Sequence, residues 1–248
     1  MEMRGTETVE ETLVGVPAAT GGEIGGTLAV PPGAGGVVVL FQVPGGGAGG
    51  GMDDVARALH AAGLATLRAD AVPDGAEAAA GPGQGFDIEA MTARLVTLVD
   101  WLWGEGPTRG LPVGCLGTGT AGAAALRAAA ARRRVGAVAV LEGRPALAGA
   151  ALQRVRSPVL LVVGGLDSPL LRLNHRVMGR LRAPALLEVV PGALHVLAGP
   201  RSREMVVARV ADWFGTHLGT REPARGGTGM GIASHALTFV SEGASTGA

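Results

Sequence analysis

The sequence predicts an α/β fold, in which a mostly parallel central sheet carries helices on both faces and begins with an antiparallel N-terminal hairpin. Short apolar runs alternate with amphipathic segments along most of the 248 residues, as in repeated strand–helix units. Residues 36–41 (GVVVLF) are almost continuously apolar, which is typical of a parallel strand buried on both faces. Two short extended runs precede them, separated by the turn signal Ala-Thr-Gly-Gly.

The elements follow from periodicity and from the residues that end each run. The predicted strands are residues 12–16, 23–30, 36–41, 65–68, 111–117, 135–141, 159–163 and 186–190. The predicted helices are residues 53–62, 86–104, 120–133, 170–182 and 201–218. Residues 1–218 are expected to form one domain. Residues 219–248 are rich in Gly, Ser and Thr, and we expect a poorly ordered tail there.

Composition excludes several classes of protein. The formal net charge is zero, so the basic excess that nucleic-acid binding requires is missing. A lone cysteine, Cys115, excludes an intramolecular disulfide framework and a cysteine zinc cluster. The N-terminal residues are polar and no apolar run is long enough to cross a bilayer. We therefore expect a cytoplasmic protein that binds neither nucleic acid nor membrane.

Residues 114–122 (GCLGTGTAG) lie between a predicted strand and a predicted helix, where a nucleophile elbow belongs. An elbow needs small residues two positions before and after the nucleophile, because the turn brings the backbone close together. Gly117 and Ala121 meet this need, but the central residue, Gly119, has no side chain. The Thr120 amide is the candidate oxyanion donor, and Thr118, Gln42 and Val43 are expected to line a substrate cleft.

Two further strand ends carry the other members of a catalytic triad. Asp167 follows the strand at 159–163, and His195 follows the strand at 186–190. The spacing is 48 residues from Gly119 to Asp167 and 28 from Asp167 to His195, each about one strand and one helix. All three positions therefore fall at the carboxyl edge of the sheet, where α/β folds build their sites, and we expect Asp167 to hold His195.

From about residue 8 to residue 218 the sequence resembles the dienelactone-hydrolase-like α/β hydrolases of high-GC bacteria, some of which are fused to phosphoribosyltransferase domains. The segments that carry this resemblance are 63–67 (GLATL), 86–89 (FDIE), 108–114 (TRGLPVG), 164–167 (GGLD) and 190–195 (VPGALH). The resemblance implies an α/β-hydrolase fold, an ester substrate and a triad at positions 119, 167 and 195.

Two departures from the family fall on catalytic parts. The family elbow would read Gly-Ala-Ser-Thr-Gly, with serine at the position of Gly119. Its oxyanion segment would begin His-Gly-Ser-Gly, whereas this chain has Val-Pro-Gly-Gly at 43–46. Loss of a triad serine lowers kcat by about 10⁶-fold, so activity does not follow from the fold.

Residues 117–122 also spell G-x-G-x-x-G, the fingerprint of a dinucleotide-binding loop, with Glu142 at the end of the next strand. The alternative is therefore nicotinamide or flavin binding, or an anion resting on the helix N-terminus. Against a dinucleotide, the motif lies in mid-chain and its flanks match the hydrolase. The glycine loop at 45–51 lacks the Gly-Lys-Ser/Thr ending of a P-loop.

The remaining reactive side chains receive structural interpretations. Cys115 is expected to be an inert core residue, Ser168 to make a local hydrogen bond, and one of Trp101 and Trp103 to lie in the core. His60, His175 and His217 are expected at the surface, and His235 lies in the tail. No His/Asp/Glu cluster has the spacing of metal ligands.

Three functional hypotheses remain open. The first is a pseudo-hydrolase with a binding, scaffold or regulatory role, and no cofactor. The second is an enzyme in which Asp167 and His195 act as a general base without a covalent intermediate. The third is dinucleotide or anion binding at Gly117–Gly122. The expected partner is a small ester or anion, or another protein, and self-association is left open.

Overall fold

A computed structural model describes residues 9–18, 21–43, 51–72, 87–104 and 106–219. The strands are β1 (Glu11–Pro17), β2 (Glu23–Ala29), β3 (Gly36–Gln42), β4 (Leu64–Asp70), β5 (Val113–Thr118), β6 (Val135–Leu141), β7 (Val159–Gly164) and β8 (Ala185–Val190). The described helices are α1 (Gly51–Ala61), α2 (Ile88–Gly104), α3 (Ala121–Ala131), α4 (Ser168–Met178) and α5 (Pro200–His217). Every predicted strand and helix is present.

The strands form one eight-stranded sheet in the order β1-β2-β4-β3-β5-β6-β7-β8. The pairs β1–β2 and β2–β4 are antiparallel, and all the others are parallel. This confirms the predicted mostly parallel sheet with an antiparallel N-terminal hairpin. The order of the strands brings the carboxyl ends of β3, β5, β6, β7 and β8 to one edge.

The core has two parts, one on each face of the sheet, because successive side chains of a strand point to opposite faces. In β3, Val37, Val39 and Phe41 contact one part, while Val38 and Leu40 contact the other. Helices α2 and α3 cover the first face, and α1 and α5 cover the second. Burial on both faces explains the continuously apolar run at residues 36–41.

Some predicted details differ or lie outside the description. Helix α4 ends at Met178 rather than at residue 182, because Gly179, a poor helix former, follows it. Two short 3₁₀ turns within Pro145–Arg154, separated by Gly149 with a φ of 60°, are not indicated by the sequence. Residues 44–50, 73–86 and 220–248, which include most of the glycine loop and of the predicted tail, lie outside the described residues. None of the described helices has the length and apolar character that crossing a membrane requires.

Candidate functional site

The predicted elbow is a sharp turn between β5 and α3. Gly119 has a φ of 54°, in the left-handed region that favours glycine. A Cβ atom on Gly119 would meet no heavy atom within 4 Å, so the space where a nucleophile would stand is open. A Cβ atom on Gly117, in contrast, would lie 2.6 Å from the Ala121 carbonyl oxygen, which is why this position needs glycine.

Thr120 precedes the first residue of α3 in a right-handed helical conformation, and its side chain makes no capping hydrogen bond. Its amide therefore lies at the amino end of a helix, where the dipole favours negative charge. The oxyanion role of this amide remains a prediction.

The three predicted cleft residues lie near this edge but face different surroundings. Gln42, the last residue of β3, lines a cavity of about 520 Å³ together with Met52, Arg68 and Arg94. Thr118 ends the neighbouring strand and is half-buried, while Val43 packs against the hydrophobic core. The cavity wall thus includes one of the three, and their role in binding stays a prediction.

The loops that carry Asp167 and His195 contact each other. The Leu166 amide donates a hydrogen bond to the Ala193 carbonyl (3.0 Å), and the Gly165 amide donates to the Val190 carbonyl (2.8 Å). The Asp167 carboxylate is the N-cap of α4, accepting a hydrogen bond of 3.0 Å from the Leu170 amide. It therefore satisfies a helix-end donor that would otherwise lack a partner.

The carboxylate beside His195 is that of Glu142, not the expected Asp167. His195 Nδ1 lies 3.4 Å from Glu142 Oε1, and the imidazole is 66% exposed. The same oxygen accepts a hydrogen bond of 2.9 Å from the Val196 amide. Within the described residues no hydrogen bond joins Asp167 to His195, because the Asp167 carboxylate is directed to the first turn of α4.

In the sequence, Glu142 is singled out only as the acidic residue at the end of the strand that follows the G-x-G-x-x-G motif. In the structure its carboxylate accepts a hydrogen bond from the Val196 amide and lies 3.4 Å from His195 Nδ1. A dinucleotide would need this carboxylate for a ribose hydroxyl, and in the structure its Oε1 already accepts the Val196 amide. Dinucleotide binding stays a prediction. The only sequence signal for the true position of Glu142 was its place at the carboxyl end of β6.

The other reactive side chains lie away from the elbow or in the core. Burial raises the pKa of Cys115 to about 12, as expected of an inert core thiol. His175 is exposed, as predicted. No hydrogen bond from Ser168 is found within the described part of the chain. The described residues contain no group of three potential metal ligands.

Two histidines are less exposed than predicted. His60 Nε2 lies 2.8 Å from Thr66 Oγ1, and His217 packs edge-on against Trp213 with ring centroids 4.3 Å apart. Burial lowers the pKa of both imidazoles.

The two tryptophans of α2 point to different surroundings, as predicted. Trp101 packs against the core, while Trp103 is partly exposed and carries the Arg134 guanidinium 5.4 Å from its ring centroid.

The strand order and the strand-to-helix elbow define an α/β-hydrolase fold. No model of a known protein family matches the sequence. The chain is similar to a crystallised dienelactone hydrolase from Anabaena variabilis, with 35% identity, a TM-score of 0.78, and coverage of 85% of this chain and 99% of that one. The chain therefore belongs to the dienelactone hydrolase family of α/β hydrolases.

Two further similarities are either lower in sequence identity or cover less of the chain. The esterase domain of a Rhodothermus marinus protein has the same fold at 17% identity and a TM-score of 0.65, over 83% of this chain and 98% of that one. Relatives from two strains of Mycobacterium tuberculosis, provisionally named phosphoribosyl transferases, are 42% identical over 165 residues. This match spans 66% of the chain but only 37% of those relatives.

Proposed function

We propose that this chain is a pseudo-hydrolase, a member of the dienelactone hydrolase family that binds a small ester or anion in its cleft without forming a covalent acyl-enzyme. The observation that carries the proposal is that glycine, Gly119, stands at the nucleophile position. It occupies the centre of the elbow in the left-handed conformation of a nucleophile, but it has no side-chain oxygen. The binding would serve a scaffold or regulatory role.

The chemistry supports this proposal. In a triad the imidazole takes a proton from the nucleophile, so His195 has no hydroxyl at position 119 to deprotonate. The open space beside Gly119 and the amino end of α3 are suited to a small ligand with negative character. Such a site retains recognition after the covalent step is lost.

The name of the mycobacterial relatives says little about what this chain does. The matched region is 37% of those proteins, and the fold of the matched region here is that of a hydrolase. We therefore propose for this chain a binding or regulatory role beside such an enzyme, rather than phosphoribosyl transfer itself.

The test compares the protein as it exists with Gly119→Ser and Gly119→Ala in p-nitrophenyl acetate hydrolysis. We expect no measurable turnover from the natural chain, and turnover with an acyl burst from Gly119→Ser. Gly119→Ala is the matched control, because it adds the same Cβ at the same φ without the hydroxyl oxygen. Ester turnover by the natural chain that disappears in His195→Ala would contradict the proposal.

A second candidate is an enzyme in which His195 activates water directly. The observation that favours it is the distance of 3.4 Å between His195 Nδ1 and Glu142 Oε1, which places a carboxylate behind an exposed imidazole. This candidate requires turnover without a burst in the natural chain. Capture of a covalent adduct by mass spectrometry would exclude it.

A further inference from the structure

Glu142 has an unusual backbone. With a φ of 50°, it is the one residue other than glycine with a positive φ in the described part of the chain. L-residues with long side chains seldom adopt this conformation, because Cβ crowds the following carbonyl oxygen. A strained conformation of this kind persists only when surrounding contacts hold the backbone in place. Such residues cluster at functional sites.

The residues around Glu142 hold the turn from three directions. The Glu142 amide donates to the Val162 carbonyl of β7 (2.8 Å), and the Arg144 amide donates to the Gly119 carbonyl of the elbow (3.2 Å). The buried Asn174 side chain donates from Nδ2 to the Gly143 carbonyl (3.0 Å). The turn after β6 is therefore fixed to β7, to the elbow and to α4.

Its fixed backbone directs the Glu142 side chain at the histidine loop. Oε1 accepts from the Val196 amide at 2.9 Å and lies 3.4 Å from His195 Nδ1. Asp167, which its position in the chain suggested for this task, caps α4. We propose that Glu142, and not Asp167, is the positioning residue that orients His195 in the cleft.

The chemical consequence concerns the imidazole proton. A carboxylate facing Nδ1 holds the neutral ring in the Nδ1–H tautomer, which leaves the Nε2 lone pair directed away from Glu142 as an acceptor or base. This inference refines the cleft of the proposed function, but it does not depend on turnover, since the tautomer is observable in a catalytically silent protein.

The experiment is a long-range ¹H–¹⁵N spectrum of the full chain with labelled histidine, in which His195→Gln identifies the His195 signals. We expect the natural chain to show the Nδ1–H tautomer of His195. Glu142→Asn, which keeps a residue that tolerates positive φ, should lose that preference. Asp167→Asn, which keeps an N-cap side chain, should leave the His195 signals in place.

Glu142→Gln is the second variant, because it keeps the length of the side chain and an acceptor for the Val196 amide. It should fold like the natural chain and still shift the His195 signals. The proposal is overturned if Asp167→Asn changes the tautomer, or if both Glu142 variants leave it unchanged.

A kinetic readout separates this proposal from the proposed function. If Gly119→Ser has turnover, adding Glu142→Asn should lower kcat by up to about 10⁴-fold, the loss that follows from a wrong histidine tautomer, with little change in KM. A larger loss from adding Asp167→Asn instead would overturn the assignment. If Gly119→Ser has no turnover, the expectation that only the nucleophile is missing is contradicted, while the spectrum still decides the role of Glu142.

Discussion

The Gly119 amide donates a hydrogen bond to the Leu141 carbonyl at 3.1 Å, which ties the centre of the elbow to the last residue of β6. The Gly119 carbonyl accepts a second hydrogen bond, from the Arg144 amide at 3.2 Å. The turn is thus held on both sides by the segment that follows β6. It keeps its left-handed conformation although no nucleophile requires it, and glycine is the residue that adopts this conformation with least strain.

Gly119→Ala should destabilise the fold. The new Cβ meets open space, so the expected loss of about 1–2 kcal/mol in the free energy of unfolding comes from the left-handed φ alone. Urea unfolding measures it. Gly25→Ala is the matched control, because it also adds a Cβ in open space but at an ordinary φ, and it should be neutral or slightly stabilising. Equal effects from both variants would contradict this reading of Gly119.

Gly117→Ala should destabilise the elbow for a different reason. Its Cβ would lie 2.6 Å from the Ala121 carbonyl oxygen and 2.7 Å from the Gly122 Cα, so the strand and the helix would have to move apart. Overpacking of this kind costs about 1–3 kcal/mol. We expect a lower Tm in a thermal unfolding experiment. A Tm equal to that of the natural chain would show that the close approach is not real.

The sheet was predictable because the sequence signals of its strands are short, local runs of apolar residues. Residues 36–41 are apolar throughout because alternate side chains enter different parts of the core, and helices cover the sheet on both faces there. The end of α4 was less predictable. The residues after Gly179 continue an amphipathic pattern, so this one glycine is the sequence's signal that the helix ends at Met178.

The site was only partly predictable. The strand–helix spacing correctly places Gly119, Asp167 and His195 after β5, β7 and β8, at the carboxyl edge of the parallel strands. The sequence does not indicate which carboxylate meets the imidazole. That depends on the positive φ of Glu142, which its side chain does not favour, and on the capping of α4 by Asp167.

Cys115 should not react with thiol reagents while the protein is folded. Burial raises the pKa of its thiol to about 12, so almost no thiolate forms near neutral pH, and the side chain is inaccessible. We expect no labelling by a disulfide reagent in native buffer and one labelled thiol per chain in denaturant. The labelling time course at intermediate denaturant should follow the unfolding measured by circular dichroism. Rapid labelling of the native protein would contradict the buried position.

His60 should make the stability of the fold sensitive to pH. Its pKa is lowered chiefly by burial, and Arg68 adds to this while Glu11 opposes it. The unfolded chain therefore binds a proton at a higher pH than the folded chain does. The contribution of His60 to stability is complete above its ordinary pKa of 6.5 and is lost as the pH falls through the lower folded value.

The measurement is urea unfolding at about pH 7.5 and about pH 5.5 for the natural chain and His60→Gln. Glutamine retains a group that can bond Thr66 Oγ1, which lies 2.8 Å from the imidazole Nε2, but it does not titrate. The natural chain should lose more stability on acidification than the variant. The variant should keep part of the loss, because burial also lowers the pKa of His217. If both proteins lose the same stability, the buried position of His60 carries no pH dependence and the prediction is wrong.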